Sequence, residues 1–300
     1  MVEKELILSE GALLEAALED LQREHRVKDI SGWETGFANL SRALDGIVPG
    51  LYLVVGRPGI GKTALVKQML DQVALHNRVP GAFFSFAETR QELRIKTLAR
   101  LSGLDSREIR RGSAYLLHWY GVPRLASNQT SELPPGWEKL RRAAEEAKSW
   151  LELIYLIECA SASNLHHIEQ TIGDIQIAAN ATLKIVVIDD GQRLGNREDS
   201  LGERLIKVTD ELQEFAKRSA IAVFAVWPDL LEVPQSMPQI WAERVSGADV
   251  VMVLEKDWER TAKLNEPYQA ITLHIVKNRC GERGKLVFDF QPACCQFVEA

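Results

Sequence analysis

The sequence lacks any surplus of positive charge. Its 36 Lys and Arg are outnumbered by 42 Asp and Glu, for a formal net charge of −6. That excludes a generic polyanion binder; contact with nucleic acid would need a local basic patch or a channel made by assembly. Cysteine is scarce as well. The four cysteines, Cys159, Cys280, Cys294 and Cys295, include no CxxC spacing, so neither a structural zinc nor a disulfide scaffold is expected. No window approaches the roughly 18 uninterrupted apolar residues of a membrane span. The opening Met1-Val2-Glu3-Lys4-Glu5 has no basic stretch leading into an apolar one, so no secretory signal is expected. These absences together predict a reduced, cytoplasmic setting. What is present is ordinary for a globular chain: 300 residues, 46% hydrophobic and 26% charged. That suffices for one or two domains and a large core.

Residues 1–30 read as a separate leading element of the linker-helix type. Ser9 can cap a helix whose Leu13, Leu14, Ala17, Leu18 and Leu21 share one face. That face could pack on its own domain or on a neighbouring subunit, and helical pattern alone does not choose. From about Ser31 to the end the pattern repeats as apolar strand, turn, amphipathic helix. Leu51–Val55, Ala82–Phe86, Ile154–Ile157, Ile185–Ile188, Ile221–Val226 and Val250–Leu254 read as strands. Lys62–His76, Arg90–Leu101, Trp137–Trp150 and Leu201–Ser219 read as helices. Near-continuous apolar strands alternating with helices predict an α/β fold, a mostly parallel central sheet flanked by helices. Ala270–Val276 and Lys285–Phe290, around a Cys-Gly-Glu-Arg-Gly turn, predict a C-terminal antiparallel hairpin at the sheet edge. Residues 113–150 read as an insertion on the surface, a loop followed by a charged helix.

The strongest signal is Gly56-Arg57-Pro58-Gly59-Ile60-Gly61-Lys62-Thr63, a GxxxxGK[ST] loop between a predicted strand and a predicted helix. Glycines let backbone N–H groups curl around phosphate oxygens with no Cβ in the way. The helix that starts near Lys62 adds its positive end. Lys62 would neutralise the β- and γ-phosphates, and the Thr63 hydroxyl would face Mg²⁺. Such a loop needs a second acid on the metal side. Asp189, after the apolar run Ile185–Ile188, stands at a strand's C-terminal end, the edge where open α/β sheets bind ligands. Hydrolysis also needs a group to activate the attacking water; Glu88, at the end of the neighbouring strand, is the candidate.

Taken in chain order, Thr35-Gly36-Phe37, Pro49-Gly50 and the loop from Arg57 through Thr63 to Ala64 resemble the ATPase domain of DnaB-type replicative helicases, in the RecA-like branch of P-loop proteins. Phe83-Phe84-Ser85, Asp189 with Gln192, Ala248-Asp249-Val250-Val251 and Lys277-Asn278-Arg279 extend the resemblance from about Ser31 to Val298. It implies a RecA-like domain over 31–300, ATP as the nucleotide with Mg²⁺, and Gln192 beside it. It also implies that Lys277 and Arg279 reach the nucleotide of a neighbouring subunit. A ring, usually of six subunits, single-stranded DNA through its centre, and other replication proteins as partners follow from the same resemblance. Arg193, Arg197 and Arg204, after Asp189, are the cations available for DNA phosphates. Asp229–Glu243 carries no Lys or Arg and only Arg244 follows. Two further positions depart from the family pattern. The family's glutamate maps onto Ala87, with Glu88 one place later, where related RecA-like ATPases carry the second of two glutamates. The glutamine expected after the sensor strand is replaced by Trp227-Pro228. Three functions are therefore open: a DnaB-like helicase that translocates on single-stranded DNA, a RecA-like ATPase switch or assembly factor without unwinding, and a nucleotide-binding protein with little hydrolysis.

Overall fold

A computed structural model describes residues 30–111, 136–195, 198–229, 238–265 and 267–300. Residues 1–29 of the leading element, the loop of 112–135 and Arg197 lie outside the described residues. The strands are β1 (Gly50–Gly56), β2 (Gly81–Ser85), β3 (Ile154–Glu158), β4 (Ile185–Asp189), β5 (Ala222–Pro228), β6 (Val250–Lys256), β7 (Gln269–Asn278), β8 (Gly284–Gln291) and β9 (Gln296–Glu299). They form one sheet in the order β3-β2-β4-β5-β1-β6-β7-β8-β9. β3 through β6 in that order pair parallel, while β7, β8 and β9 are antiparallel. The expected hairpin is thus β7–β8, and β9 extends it by one strand.

Alternation along β1 explains the layers. Successive side chains point to opposite faces, so Tyr52 and Val54 enter one core and Leu51, Leu53 and Val55 the other. On the first face lie α1 (Ala38–Leu44), α2 (Lys62–Asn77), α3 (Arg90–Ser102) and α4 (Trp137–Leu151). On the second lie α5 (Leu165–Ala179), α6 (Leu201–Ser219) and α7 (Ile240–Arg244). Each large apolar side chain buried this way contributes about 1.5–3 kcal/mol. Within the segment read as an insertion, α4 buries Ala143, Ala147 and Trp150 beside Ala74 of α2.

Several helix starts are closed by side chains. Thr89 and Glu92 form a capping box on α3, and Ser200 and Glu203 another on α6. The α2 start has no side-chain cap and no acid in its first turn. Its first N–H groups therefore remain available to an anion. The helix itself is fixed from below. Gln68 donates to the Phe297 carbonyl at 2.9 Å and accepts the Phe297 N–H at 2.8 Å, pairing α2 with β9. Among the described residues no helix is long and apolar enough to cross a membrane.

Candidate active site

β1 ends where the glycine loop begins, at the C-terminal edge of the parallel strands. Gly59 and Gly61 have φ of +79° and +100°, which β-carbons disfavour. At Gly61 a Cβ would also lie 2.9 Å from the Phe297 ring, which stacks on Phe290. Lys62 curls over the loop, its Nζ donating to the carbonyls of Gly56 at 2.7 Å and Arg57 at 3.0 Å. Burial lowers the Lys62 pKa, and the carboxylates of Asp189, Asp190 and Asp229 oppose that shift. Ile60 packs into the first core and Ala64 is buried behind it; Pro58 is exposed at the loop tip.

Asp189 lies at the end of β4, 2% exposed. The Thr63 hydroxyl donates to its Oδ2 at 3.0 Å. Burial pushes the Asp189 carboxyl up to about 6, helped by the charges of Asp190 and Glu88 and resisted by the Thr63 hydrogen bond and Lys62. Asp190 turns away in the left-handed region, φ 64°, and pairs with Arg193 at 3.3 Å. A short 3₁₀ turn, Gly191–Arg193, follows. In it the Gln192 side-chain oxygen is buried with no hydrogen-bond partner.

β2 lies directly beside β4, with Ser85 opposite Asp189. The strand stops at Ser85, whose Oγ accepts the Glu88 N–H at 2.8 Å. In that turn Ala87 faces solvent and Glu88 turns back inward. Its Oε1 pairs with Lys96 at 3.1 Å, and its Oε2 is buried without a partner.

The donor set fits a divalent cation held jointly with phosphates. Thr63 and Asp189 are hard oxygen ligands in contact, and unpartnered buried oxygens of Glu88 and Gln192 stand nearby. The described residues contain no group of three or more His, Cys, Asp or Glu that could hold a metal alone. Mg²⁺ characteristically takes one or two protein ligands and completes its shell with substrate oxygens and water.

Lys277 and Arg279 are elsewhere. β7 runs antiparallel to β6, so its last residues lie beside Val250, at the N-terminal edge of the parallel strands. Arg279 is ion-paired with Asp249 at 3.0 Å, and Asp249 in turn accepts the Leu51 N–H. β1 between Leu51 and Gly56 spans about 17 Å. Arg279 therefore cannot reach the glycine loop of its own chain. Lys277, which donates to the Ser246 carbonyl at 2.7 Å, lines a cleft with Arg279, Arg283, Gln213 and Asp249.

Arg193 is half-exposed. Arg204 is turned inward, donating to the carbonyls of Gln192 at 3.5 Å and Asp199 at 3.1 Å. Sequence reasoning missed Asp229, which follows β5, bonds the Gly56 carbonyl through its N–H at 3.0 Å and acts on Lys62. An acid just past the strand neighbouring the loop strand was the available signal. Trp227 is buried in the second core, against Gly191.

A glycine loop on the central strand of this sheet, with an acid two strands away, defines a P-loop protein of the RecA-like α/β class. The model for the DnaB-like helicase C terminal domain matches residues 32–299, and the chain belongs to that family. It is 24% identical over 287 residues to the replicative DNA helicase DnaB of Treponema pallidum (strain Nichols), covering 92% of this chain and 58% of that protein. It is 22% identical over 288 residues to the DnaB of Leifsonia xyli subsp. xyli (strain CTCB07), with 92% and 58% covered. The chain thus spans little more than half the length of these relatives. Among solved structures, an isolated ATPase domain superposes with a TM-score of 0.75 at 19% identity, covering 97% of this chain and 100% of that one. A DnaB-like replicative helicase solved in work on its interactions with primase gives 0.73 at 20% identity, covering 97% and 68%.

Proposed function

We infer that this chain is the ATPase part of a DnaB-like replicative helicase, hydrolysing ATP between subunits of a ring that moves on single-stranded DNA. Backbone N–H groups from Gly56 to Ala64 would cradle the phosphates, and Lys62 would leave its loop carbonyls for the β- and γ-phosphates. Mg²⁺, held by Thr63 and Asp189, would spread charge over the phosphate oxygens. Glu88 takes a proton from the attacking water as its oxygen bonds to the γ-phosphorus and the bond to the β-phosphate oxygen breaks, leaving ADP and phosphate. Gln192 reports the occupant of the site to the loop that carries Arg193 and Arg197. Arg204 supports this loop through its carbonyls. A role on replicating DNA places the protein in the cytoplasm, in contact with other replication proteins.

The observation that carries this reading is the placement of Lys277 and Arg279 at the opposite edge of the sheet from the glycine loop. Two such surfaces on one chain suit head-to-tail contact, which forms a ring where the rotation between neighbours closes. Arg279 then completes the site of a neighbour. The test is ATP turnover with Mg²⁺ at low salt, with and without single-stranded DNA. Stimulation by DNA that fades with added salt supports translocation. Turnover indifferent to DNA would reject it.

Trp227 favours a second reading. At the position after the sensor strand it is packed into the second core and, unlike a glutamine, carries no side-chain amide to pair with the γ-phosphate. With few cations in the following loop, the chain would then be an ATP-driven switch or assembly factor. Robust ATPase activity with no strand displacement identifies that case.

A further inference from the structure

Glu88 sits one residue past Ala87, the position onto which the family's glutamate maps, and a displaced carboxylate needs something to bring it back. Two contacts do so. Ser85 Oγ accepts the Glu88 N–H at 2.8 Å and sets the turn. Lys96 Nζ holds Oε1 at 3.1 Å, leaving Oε2 buried and unpartnered. This second oxygen belongs to a carboxylate tied to Ser85, which lies directly opposite Asp189 in the sheet.

Lys96 is itself held. Its neighbour Thr97 donates to Asp71 Oδ2 at 2.8 Å, and Arg100, one turn on, donates to the same carboxylate. Asp71 is on α2, the helix that begins at Lys62 and Thr63, and is also paired with Lys67. All four side chains are buried at the α2–α3 contact. The chain of contacts is therefore closed. The phosphate-loop helix fixes α3 through Asp71, α3 carries Lys96, and Lys96 holds Glu88 at the end of β2, where Ser85 lies opposite Asp189.

We propose that Lys96 is a positioning residue for hydrolysis, its ammonium gripping one oxygen of Glu88 so that the other faces the attacking water at a distance set by the phosphate-loop helix. The proposal rests on the reading of Glu88 as the base. Both partners of the Lys96–Glu88 pair are about a quarter exposed, so its loss costs more than that of a surface pair and less than that of a fully buried one. A misplacement of about 1 Å, in contrast, can slow a reaction roughly 10²-fold. Lys96 thus acts chiefly on rate, with a modest effect on folding and none on nucleotide affinity.

The experiment compares the full chain with Lys96→Met, Lys96→Arg, Glu88→Gln and the double variant Glu88→Gln/Lys96→Met. Steady-state turnover of Mg²⁺-ATP, affinity for a fluorescent ATP analogue and the thermal midpoint are measured for each. Lys96→Met should lower kcat by about 10–100-fold, with KM and analogue affinity within about twofold of wild type and the midpoint lowered by no more than a few degrees, well above the assay temperature. Lys96→Arg should recover most of the rate. The double variant should be no slower than Glu88→Gln alone, because the lysine acts only through the glutamate. Should the methionine variant unfold, Lys96→Gln keeps a donor without the charge and is expected to show the same loss of kcat. The proposal is overturned if Lys96→Met turns over like wild type while Glu88→Gln is inactive. It is also overturned if Lys96→Met slows the Glu88→Gln enzyme by the same factor as the parent. Wild-type turnover by Glu88→Gln, or none by the unaltered chain, would remove the reading of Glu88 first and the positioning role with it.

Discussion

Asp189 is a carboxylate kept where a carboxylate is uncomfortable. Unfolded, an aspartate titrates near about 3.9; folded, burial and neighbouring acids carry this one to about 6. Between those values the unfolded chain has released a proton that the folded chain retains. Stability therefore falls as pH rises through that window and stays lower above it. Asp189→Asn should be more stable than wild type at pH 7.5 in EDTA, by about 1–3 kcal/mol in urea unfolding, with the difference vanishing near pH 4. The same variant should lose turnover. An asparagine variant less stable at pH 7.5 would contradict this view of the site. Gly61 is constrained in another way, by its φ of +100° and by the Phe290–Phe297 stack. Gly61→Ala should weaken ATP binding at least tenfold, while Gly59→Ala, with open space around it, should be milder in an equilibrium titration. At this scale the loop residues and Asp189 were legible, since eight consecutive residues and an apolar run carry them. The inward turn of Glu88 was not. It depends on where β2 stops and on a hydroxyl, Ser85, whose partner is set by that turn.

Between elements, the contact of α2 with α3 is held by charge as well as by apolar packing. Burial alone would raise the Asp71 pKa, but Lys67 and Arg100 outweigh it and hold the carboxyl below its ordinary value. Removing one partner of a buried ionic group strands the others, at about 3–5 kcal/mol. Asp71→Ala should lose about that much stability in urea unfolding, and Lys67→Met/Asp71→Leu/Arg100→Met, which leaves no charge stranded, should recover a good part of it. A loss below about 1 kcal/mol for the alanine variant would show that the network is slack. The four helices read from the sequence between Lys62 and Ser219 were placed to within a residue because periodicity and caps fix them, as at α6, which begins after its Ser200 cap and ends at Ser219; α1, α5 and α7 were not read. The bulge in β7 was not readable. It shifts the register between Val251 and Met252, so Lys277 reaches Ser246 on one side of the sheet while Asn278 reaches Ala43 on the other. A strict alternation would have turned both the other way.

On the scale of the molecule, the sheet separates the two groups of residues that the proposed function brings together. The glycine loop, Asp189 and Glu88 occupy the C-terminal edge of the parallel strands; Lys277 and Arg279 occupy the N-terminal edge. The order of motifs in the sequence revealed both groups, but only the topology shows that they cannot meet within one chain. With a net charge of −6, the proposed binding to DNA would come from a local basic patch or from loops brought together by assembly, and it should weaken steeply with salt. The most direct measurement mixes two variants, Lys62→Ala and Arg279→Ala. Each alone should be nearly inactive. In a head-to-tail assembly, a site with Lys62 from one chain and Arg279 from the next is intact, and an equal mixture should restore turnover at about a quarter of its sites. A mixture as inactive as its components, or an Arg279→Ala protein that hydrolyses ATP at the wild-type rate, would contradict a site completed by a second copy of the chain.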